Sequence, residues 1–158
     1  MLGMFKKKIS VCAPFDGIAM DITEVEDAVF AQLMIGDGCA IRPVSGDVFA
    51  PVSGRVELIA ETGHAICLKT AEELEIMIHY GIDTVSLEGE GFDVKVEAGQ
   101  QVKVGELLCH VDMEYFKAQN IDLTSPVLVL DSDKFAVVNK QLGKEVTAGE
   151  PLFSVVRK

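Results

Sequence analysis

Aromatic side chains are scarce in this 158-residue chain, with eight phenylalanines, two tyrosines and no tryptophan making up 6 % of it. Hydrophobic residues still account for 49 %. The core must therefore be built from Val, Ile, Leu and Ala, and Val and Ile favour strands. Long apolar runs are missing, so no segment approaches the ~20 residues of a membrane-spanning helix. The opening Met1-Leu2-Gly3-Met4-Phe5-Lys6-Lys7-Lys8 is basic but lacks the apolar stretch of a signal peptide. Positive charge is also in short supply: 14 Lys and Arg against 25 Asp and Glu, for a net charge of −11. That balance disfavours nucleic acid or an anionic membrane as partner and suits a partner with a basic face. The four cysteines, Cys12, Cys39, Cys67 and Cys109, show no C-x-x-C spacing. They read as free thiols of a cytoplasmic protein, used as small core residues and not as metal ligands. Neither a G-x-x-x-x-G-K-[ST] cradle, nor H-E-x-x-H, nor G-x-S-x-G occurs, which disfavours P-loop nucleotide use, zinc-protease chemistry and serine-hydrolase chemistry.

What is present is a series of short apolar runs separated by Gly, Pro, Asp and Ser. Strands are expected at 9–13, 17–22, 39–43, 47–50, 54–61, 64–69, 74–80, 93–96, 107–112, 127–130 and 152–156. Thr23-Glu24-Val25-Glu26 offers a capping-box start for a helical turn through Phe30, and Asp112 can cap another over 113–118. Neither is long enough to organise a fold. An internal repeat strengthens the all-β reading. Gly99-x-x-Val102-x-x-Gly105-Glu106-x-Leu108 recurs as Gly143-x-x-Val146-x-x-Gly149-Glu150-x-Leu152. Each glycine can take the positive-φ position of a turn while the valine anchors the loop. The expected fold is an antiparallel β-sandwich with barrel-like closure and very short helical turns. Residues 1–8 form a short basic tail and 9–158 a single domain without an internal linker, long enough to bury ~70 % of the unfolded chain's surface.

Two histidines stand out. His64 to Lys69 is followed by Thr70-Ala71-Glu72-Glu73 and then by Leu74 to Tyr80, where Leu74, Ile76, Ile78 and Tyr80 alternate with Glu75, Met77 and His79. Such alternation marks a strand with one buried face. With residues 70–73 as the loop, Lys69 pairs with Leu74 and His64 lies opposite His79, Cβ atoms ~5 Å apart. Two imidazoles that close can share one small anion or one metal. His110 follows Cys109 in a run whose alternation puts Leu107, Cys109 and Val111 inward, so His110 reads as surface.

At these residues the chain resembles a known family. His79-Tyr80-Gly81-Ile82-Asp83-Thr84-Val85 is similar to the HFGIDTV signature of the glucose-type enzyme IIA of the phosphoenolpyruvate-dependent sugar phosphotransferase system. Gly36-Asp37-Gly38-Cys39-Ala40-Ile41, Ala50-Pro51-Val52-Ser53-Gly54, Glu61-Thr62-Gly63-His64-Ala65, Glu90-Gly91-Phe92 and 99–105 resemble further family segments, in family order over roughly residues 10–157. The resemblance implies the duplicated hybrid motif as fold and a single phosphoryl-carrier domain as organisation. It also implies a cytoplasmic phosphotransferase component, working with the phosphocarrier HPr and a cysteine of the sugar-specific IIB domain. His79 would then be the phosphoryl acceptor through Nε2 (a tele-phosphohistidine), with its Nδ1–H bonded to a carbonyl near Gly81. His64 would stabilise the phosphoryl oxygens, and Thr62 would orient His64. Val29, Phe30, Ile78 and Val85 match apolar docking positions, and Asp27 and Asp83 acidic ones. No cofactor is required, although His64 and His79 could share a Zn²⁺ completed by a partner. Ala60 and Met77 stand where the best-known members carry phenylalanines, and Gly63 replaces an asparagine.

Other classes remain beside this one. The unphosphorylated histidine face could act as a regulatory binding module on target proteins. Asp131-Ser132-Asp133-Lys134 resembles a lipoyl-lysine hairpin, but a lipoyl domain needs about half this length and leaves the histidine hairpin unexplained.

Overall fold

Frequent turn residues cut the apolar runs into short strands, and the computed structural model, which describes residues 7–82 and 84–158, pairs them all antiparallel. In chain order these are β1 (Lys8–Cys12), β2 (Gly17–Asp21), β3 (Asp37–Pro43), β4 (Asp47–Phe49), β5 (Gly54–Ile59), β6 (Ala65–Lys69) and β7 (Glu75–His79). They are followed by β8 (Phe92–Val94), β9 (Gln101–Val102), β10 (Leu107–Val111), β11 (Ser125–Val129), β12 (Phe135–Val138), β13 (Glu145–Val146) and β14 (Pro151–Arg157). One sheet has the order β13-β2-β3-β11-β7-β6-β5-β9, and two three-stranded sheets, β1-β14-β12 and β4-β10-β8, lie around it. The all-β, sandwich-like architecture agrees with the expectation. The barrel-like closure does not: the large sheet stays open, because its two edges, β9 and β13, are two-residue strands.

Those edge strands are the repeated loops, and the repeat runs deeper than the glycine pattern. Ala13-Pro14-Phe15-Asp16-Gly17 and Ala50-Pro51-Val52-Ser53-Gly54 are two copies of one segment, each held by one loop. The amide of Gly149 donates to the Ala13 carbonyl (3.0 Å), as that of Gly105 does to Ala50 (2.9 Å). Gly143 bonds Ala19 and Gly99 bonds Val56 in the same way, at 2.8 and 2.7 Å. Asp16 Oδ1 accepts from the Ala148 amide (2.8 Å) where Ser53 Oγ accepts from Val104 (2.9 Å). The four loop glycines sit at φ of +92, +88, +70 and +92°, and Val102 and Val146 are buried. Both roles match the sequence reading, which saw the loops and the segment 50–54 but not its second copy at 13–17 or that the loops hold both.

The core packs on both faces of the large sheet. Its main cluster is aliphatic, as expected, but organised around four buried phenylalanines, Phe15, Phe116, Phe135 and Phe153. A second cluster, Ile22, Val25, Phe30, Ala40, Ile82 and Leu128 with Met20 and Met77 against it, covers the other face. All five residues of β11 are therefore buried. The capping box differs from expectation. Asp21 and Glu24 form it, around a 3₁₀ turn at Ile22–Glu24, and a separate helix α1 (Ala28–Ala31) starts at Asp27, whose side chain accepts from the Val29 amide. Asp112 caps α2 (Met113–Ala118) as expected. A bulge between Leu107 and Cys109 in β10 lets Leu108 as well as Cys109 and Val111 turn inward. His110 stays exposed, paired with Asp47 at 2.7 Å, and Lys134 is exposed in the turn before β12. All four cysteines are free thiols, and among the described residues no helix is long and apolar enough to cross a membrane.

The two segment glycines and the loop glycines should respond differently to a methyl group. A Cβ at Gly54 would lie 2.5 Å from the Lys69 carbonyl oxygen, and one at Gly17 2.3 Å from that of Arg42. At Gly105 nothing lies within 4 Å, so only the backbone conformation resists. In urea unfolding, Gly54→Ala should cost about 3 kcal/mol and Gly105→Ala about 1 kcal/mol.

Candidate functional site

β7 alternates: Ile76, Ile78 and Tyr80 face the main core, and Glu75, Met77 and His79 face the other way. His79 is the last residue of the strand, half-buried, with the Phe30 ring edge-on at 5.1 Å between centroids. Its Nδ1–H donates to the carbonyl of Gly81 at 2.6 Å. A carbonyl only accepts, so Nδ1 carries the proton and, in the neutral ring, Nε2 keeps the lone pair. Gly81 makes this possible by turning at φ +78°, where a Cβ would lie 2.5 Å from Thr84 Cγ2.

The hairpin is one residue out of the expected register. Lys69 pairs with Glu75, and Ala65, not His64, is the Cα partner of His79. The loop takes five residues because Leu74, fully buried, belongs to it. The Thr70 amide donates to the Leu74 carbonyl, the Leu74 amide to Thr70 Oγ1, and Glu73 turns at φ +67°. A slip of one residue in a regular pair would send the two imidazoles to opposite faces. They nevertheless meet, with ring centroids 4.8 Å apart at 74°. His64 lies just outside β6, after Gly63 at φ +76°, so it escapes the strand's alternation while its carbonyl still accepts from the Tyr80 amide (2.8 Å). Thr62 Oγ1 hydrogen-bonds His64 Nδ1. Gly63, Ile66, Ile78, Tyr80, Phe92 and Cys109 line a cavity of about 10 Å³ on the core side of His64.

Of the residues assigned by resemblance, His64, His79, Thr62, Gly81 and Phe30 are brought together. Val29 is 43 % exposed on α1, and the half-buried Asp27 caps that helix. Ile78 is a correction: at 2 % exposure it faces the main core and has no surface to offer a partner. Asp83 and the side chain of Val85 lie outside the described residues. Missed from sequence were the exposed Leu33, Met34 and Ile35, which follow α1 directly. Four such residues within seven positions, Val29 included, are the signal that would have found them. Among the described residues no third His, Cys, Asp or Glu joins the two imidazoles in a group able to hold a metal, so the pair supplies two positions of a tetrahedral set.

The family model for the EIIA 1 component of the phosphoenolpyruvate-dependent sugar phosphotransferase system matches residues 9–135, a stretch that contains both histidines. The chain belongs to this family. It is 42 % identical over 144 residues to a PTS system glucose-specific EIIA component of Oceanobacillus iheyensis, covering 91 % of this chain and 87 % of the relative. A protein of the same name from Staphylococcus aureus is 39 % identical over 145 residues, covering 92 % and 87 %. The solved structure of a glucose permease IIA from Mycoplasma capricolum superimposes with a TM-score of 0.85 at 37 % identity, over 94 % of this chain and 96 % of that one.

Burial, and then the neighbouring His79, hold the His64 pKa below its ordinary value of 6.5. Both causes favour the neutral ring. As pH falls below 6.5 the unfolded chain takes up this proton before the folded one does. Stability from this group is then lost between 6.5 and the depressed folded value. An NMR pH titration should find the His64 midpoint below 6.5. His79→Gln should move it upward but leave it below 6.5, because burial, the larger cause, remains. A midpoint at or above 6.5 in the unsubstituted protein would contradict this environment.

Proposed function

We propose that this phosphotransferase-system component accepts a phosphoryl group from phospho-HPr on His79 Nε2 and passes it to a cysteine of a IIB domain during sugar uptake. The observation that carries the reading is the Nδ1–H bond of His79 to the Gly81 carbonyl beside a second, desolvated imidazole. The lone pair of Nε2 attacks phosphorus in line while the bond from phosphorus to HPr breaks. Because Nδ1 holds the proton throughout, no base is needed to activate the nucleophile. In the second half-reaction the IIB thiolate attacks phosphorus, the N–P bond breaks and the electron pair returns to Nε2, leaving a neutral imidazole.

His64 supports the transfer from the side. This role takes the Thr62 hydroxyl as the donor in its hydrogen bond with Nδ1, which leaves Nε2–H of His64 to donate to the phosphoryl oxygens. Docking of HPr falls to the exposed apolar residues Val29, Leu33, Met34 and Ile35, with Phe30 at their inner edge and Asp27 as an acidic contact for a basic partner. A Zn²⁺ on His64 and His79 would need its remaining ligands from a bound protein. The chemistry belongs to the cytoplasm, where phosphoenolpyruvate is available, and the names of the curated relatives make glucose the first sugar to test.

With labelled phosphoenolpyruvate, enzyme I and HPr, the protein should acquire one acid-labile, base-stable phosphate; no label with active partners would sink the reading. His79→Gln should take up none. His64→Gln should still accept phosphate from HPr yet pass it to IIB about 10²-fold more slowly, the usual cost of one lost charge-stabilising donor. Uptake lost in His64→Gln and kept in His79→Gln would reverse the two roles.

A further inference from the structure

The two peptide groups that flank Gly81 are each held at both ends. In the first, the Tyr80 carbonyl accepts from Thr84 Oγ1 at 2.6 Å and the Gly81 amide donates to Ser125 Oγ at 2.9 Å. In the second, the Gly81 carbonyl accepts from His79 Nδ1 at 2.6 Å and the Ile82 amide donates to the Asp122 carbonyl at 3.1 Å. Ser125 Oγ–H donates to the Leu123 carbonyl (2.7 Å), and Asp122 Oδ1 accepts from the Thr124 amide (2.9 Å). Ser125 and Thr84 are both fully buried. Nothing in the sequence around Ser125 advertises a role: it lies before the strand expected at 127–130, and only the structure makes it the first residue of β11.

Glycine at positive φ has no strong preference of its own for one peptide orientation over another. The direction of the Gly81 carbonyl therefore comes from the Ile82 bond on its own peptide and from Ser125 and Thr84, which fix the preceding peptide and with it the φ of Gly81. If that carbonyl swung away, His79 Nδ1 would lose its acceptor, and the ring could hold its proton on Nε2 instead. Serially bonded peptides also polarise one another, so the Ile82 bond to Asp122 makes the Gly81 carbonyl a better acceptor.

We propose that Ser125, seconded by Thr84, is a positioning residue that aims the Gly81 carbonyl and so holds His79 in the Nδ1–H tautomer. The consequence for rate rests on the phosphoryl-carrier reading; the tautomer does not. Ser125→Ala removes the acceptor of a buried amide and the clamp on the turn. Ser125→Thr keeps an oxygen at the same place. Thr84→Val keeps the volume and removes only the hydroxyl.

The test is ¹⁵N NMR of the ring nitrogens in unphosphorylated, histidine-labelled protein, at a pH where His79 is neutral. Unsubstituted protein should show Nδ1 protonated and Nε2 bare. Ser125→Ala should shift both nitrogens toward a mixture containing the Nε2–H form, and Ser125→Thr should restore the single tautomer. Phosphate uptake from phospho-HPr should fall about tenfold in Ser125→Ala and recover in Ser125→Thr, the scale of one lost hydrogen bond. A residue that merely fills space could lower stability but would leave the tautomer alone. Ser125→Ala with His79 still wholly Nδ1–H therefore overturns the proposal, whatever its melting temperature. If that variant does not fold, Thr84→Val is read by the same spectrum, and an unchanged tautomer there overturns it equally. Unsubstituted protein that shows the tautomer but takes no phosphate would overturn the carrier reading, while the spectra still decide the role of Ser125.

Discussion

The hydrogen bond from His79 Nδ1 to the Gly81 carbonyl is the constraint on which the rest of this site depends. A neutral imidazole has one proton and one lone pair, and in water either nitrogen can hold the proton. Fixing the proton on Nδ1 turns an ambivalent ring into one with a defined nucleophilic atom. A turn that brings a carbonyl back toward a side chain two residues earlier requires positive φ, hence glycine at position 81. The turn in turn requires buried partners for its own amides and carbonyls, because an unpaired buried polar group costs ~1–3 kcal/mol. Thr84, Ser125 and the Asp122 carbonyl supply them. The chemistry of one nitrogen is thereby tied to the start of β11, more than forty residues away in sequence.

Rigidity at that distance comes from the sheet. β7 pairs with β11 on one side and β6 on the other, so the strands carrying His79 and Ser125 are hydrogen-bonded neighbours and His64 closes the far side. Apolar clusters on both faces hold the sheet in register: Ile78 is pressed into one and Met77 against the other. The duplicated segments with their glycine loops finish the edges of the same sheet. The site is thus placed on strands near the middle of a sheet, with Val29 of α1 and Leu33, Met34 and Ile35 just after it exposed.

Much of this was legible in the sequence. Turn residues and alternation gave the strands, and the repeated glycines gave two turns, though not the open sheet edges they form. The neighbouring histidines with their glycine and threonine gave the site. Three features were not. The hairpin register slipped by one because Leu74, apolar and in phase with Ile76, reads as strand, whereas it serves the loop as a buried plug. Ile78 was assigned to a docking surface by its position in a motif, while its alternation with Met77 and His79 already marked it as core. The role of Ser125 has no local signal at all, since its partner is chosen by strand pairing between distant segments.

The departures from the best-known family members can be sorted on the same physical grounds. Gly63 stands where they carry asparagine, and its φ of +76° lies in the left-handed region that glycine and asparagine share. A Cβ there would lie 3.2 Å from Phe92 Cβ and Val94 Cγ2, tight but open to small adjustments, so the exchange keeps the turn that delivers His64. Met77 is different. It lies half-buried against the cluster containing Phe30, on the same face of β7 as His79. A thioether there in place of an aromatic ring leaves a softer, more adaptable surface. Ala60, also half-buried, lies in the turn before His64, one residue beyond β5, and removes a second ring. In the proposed function, the divergence at Met77 and Ala60 bears on docking. The atoms that fix the two imidazoles, namely the Gly81 carbonyl, the Thr62 hydroxyl and their buried supports, are untouched by it. The side chains around the imidazoles can thus change while the hydrogen bonds that fix the His79 ring stay the same.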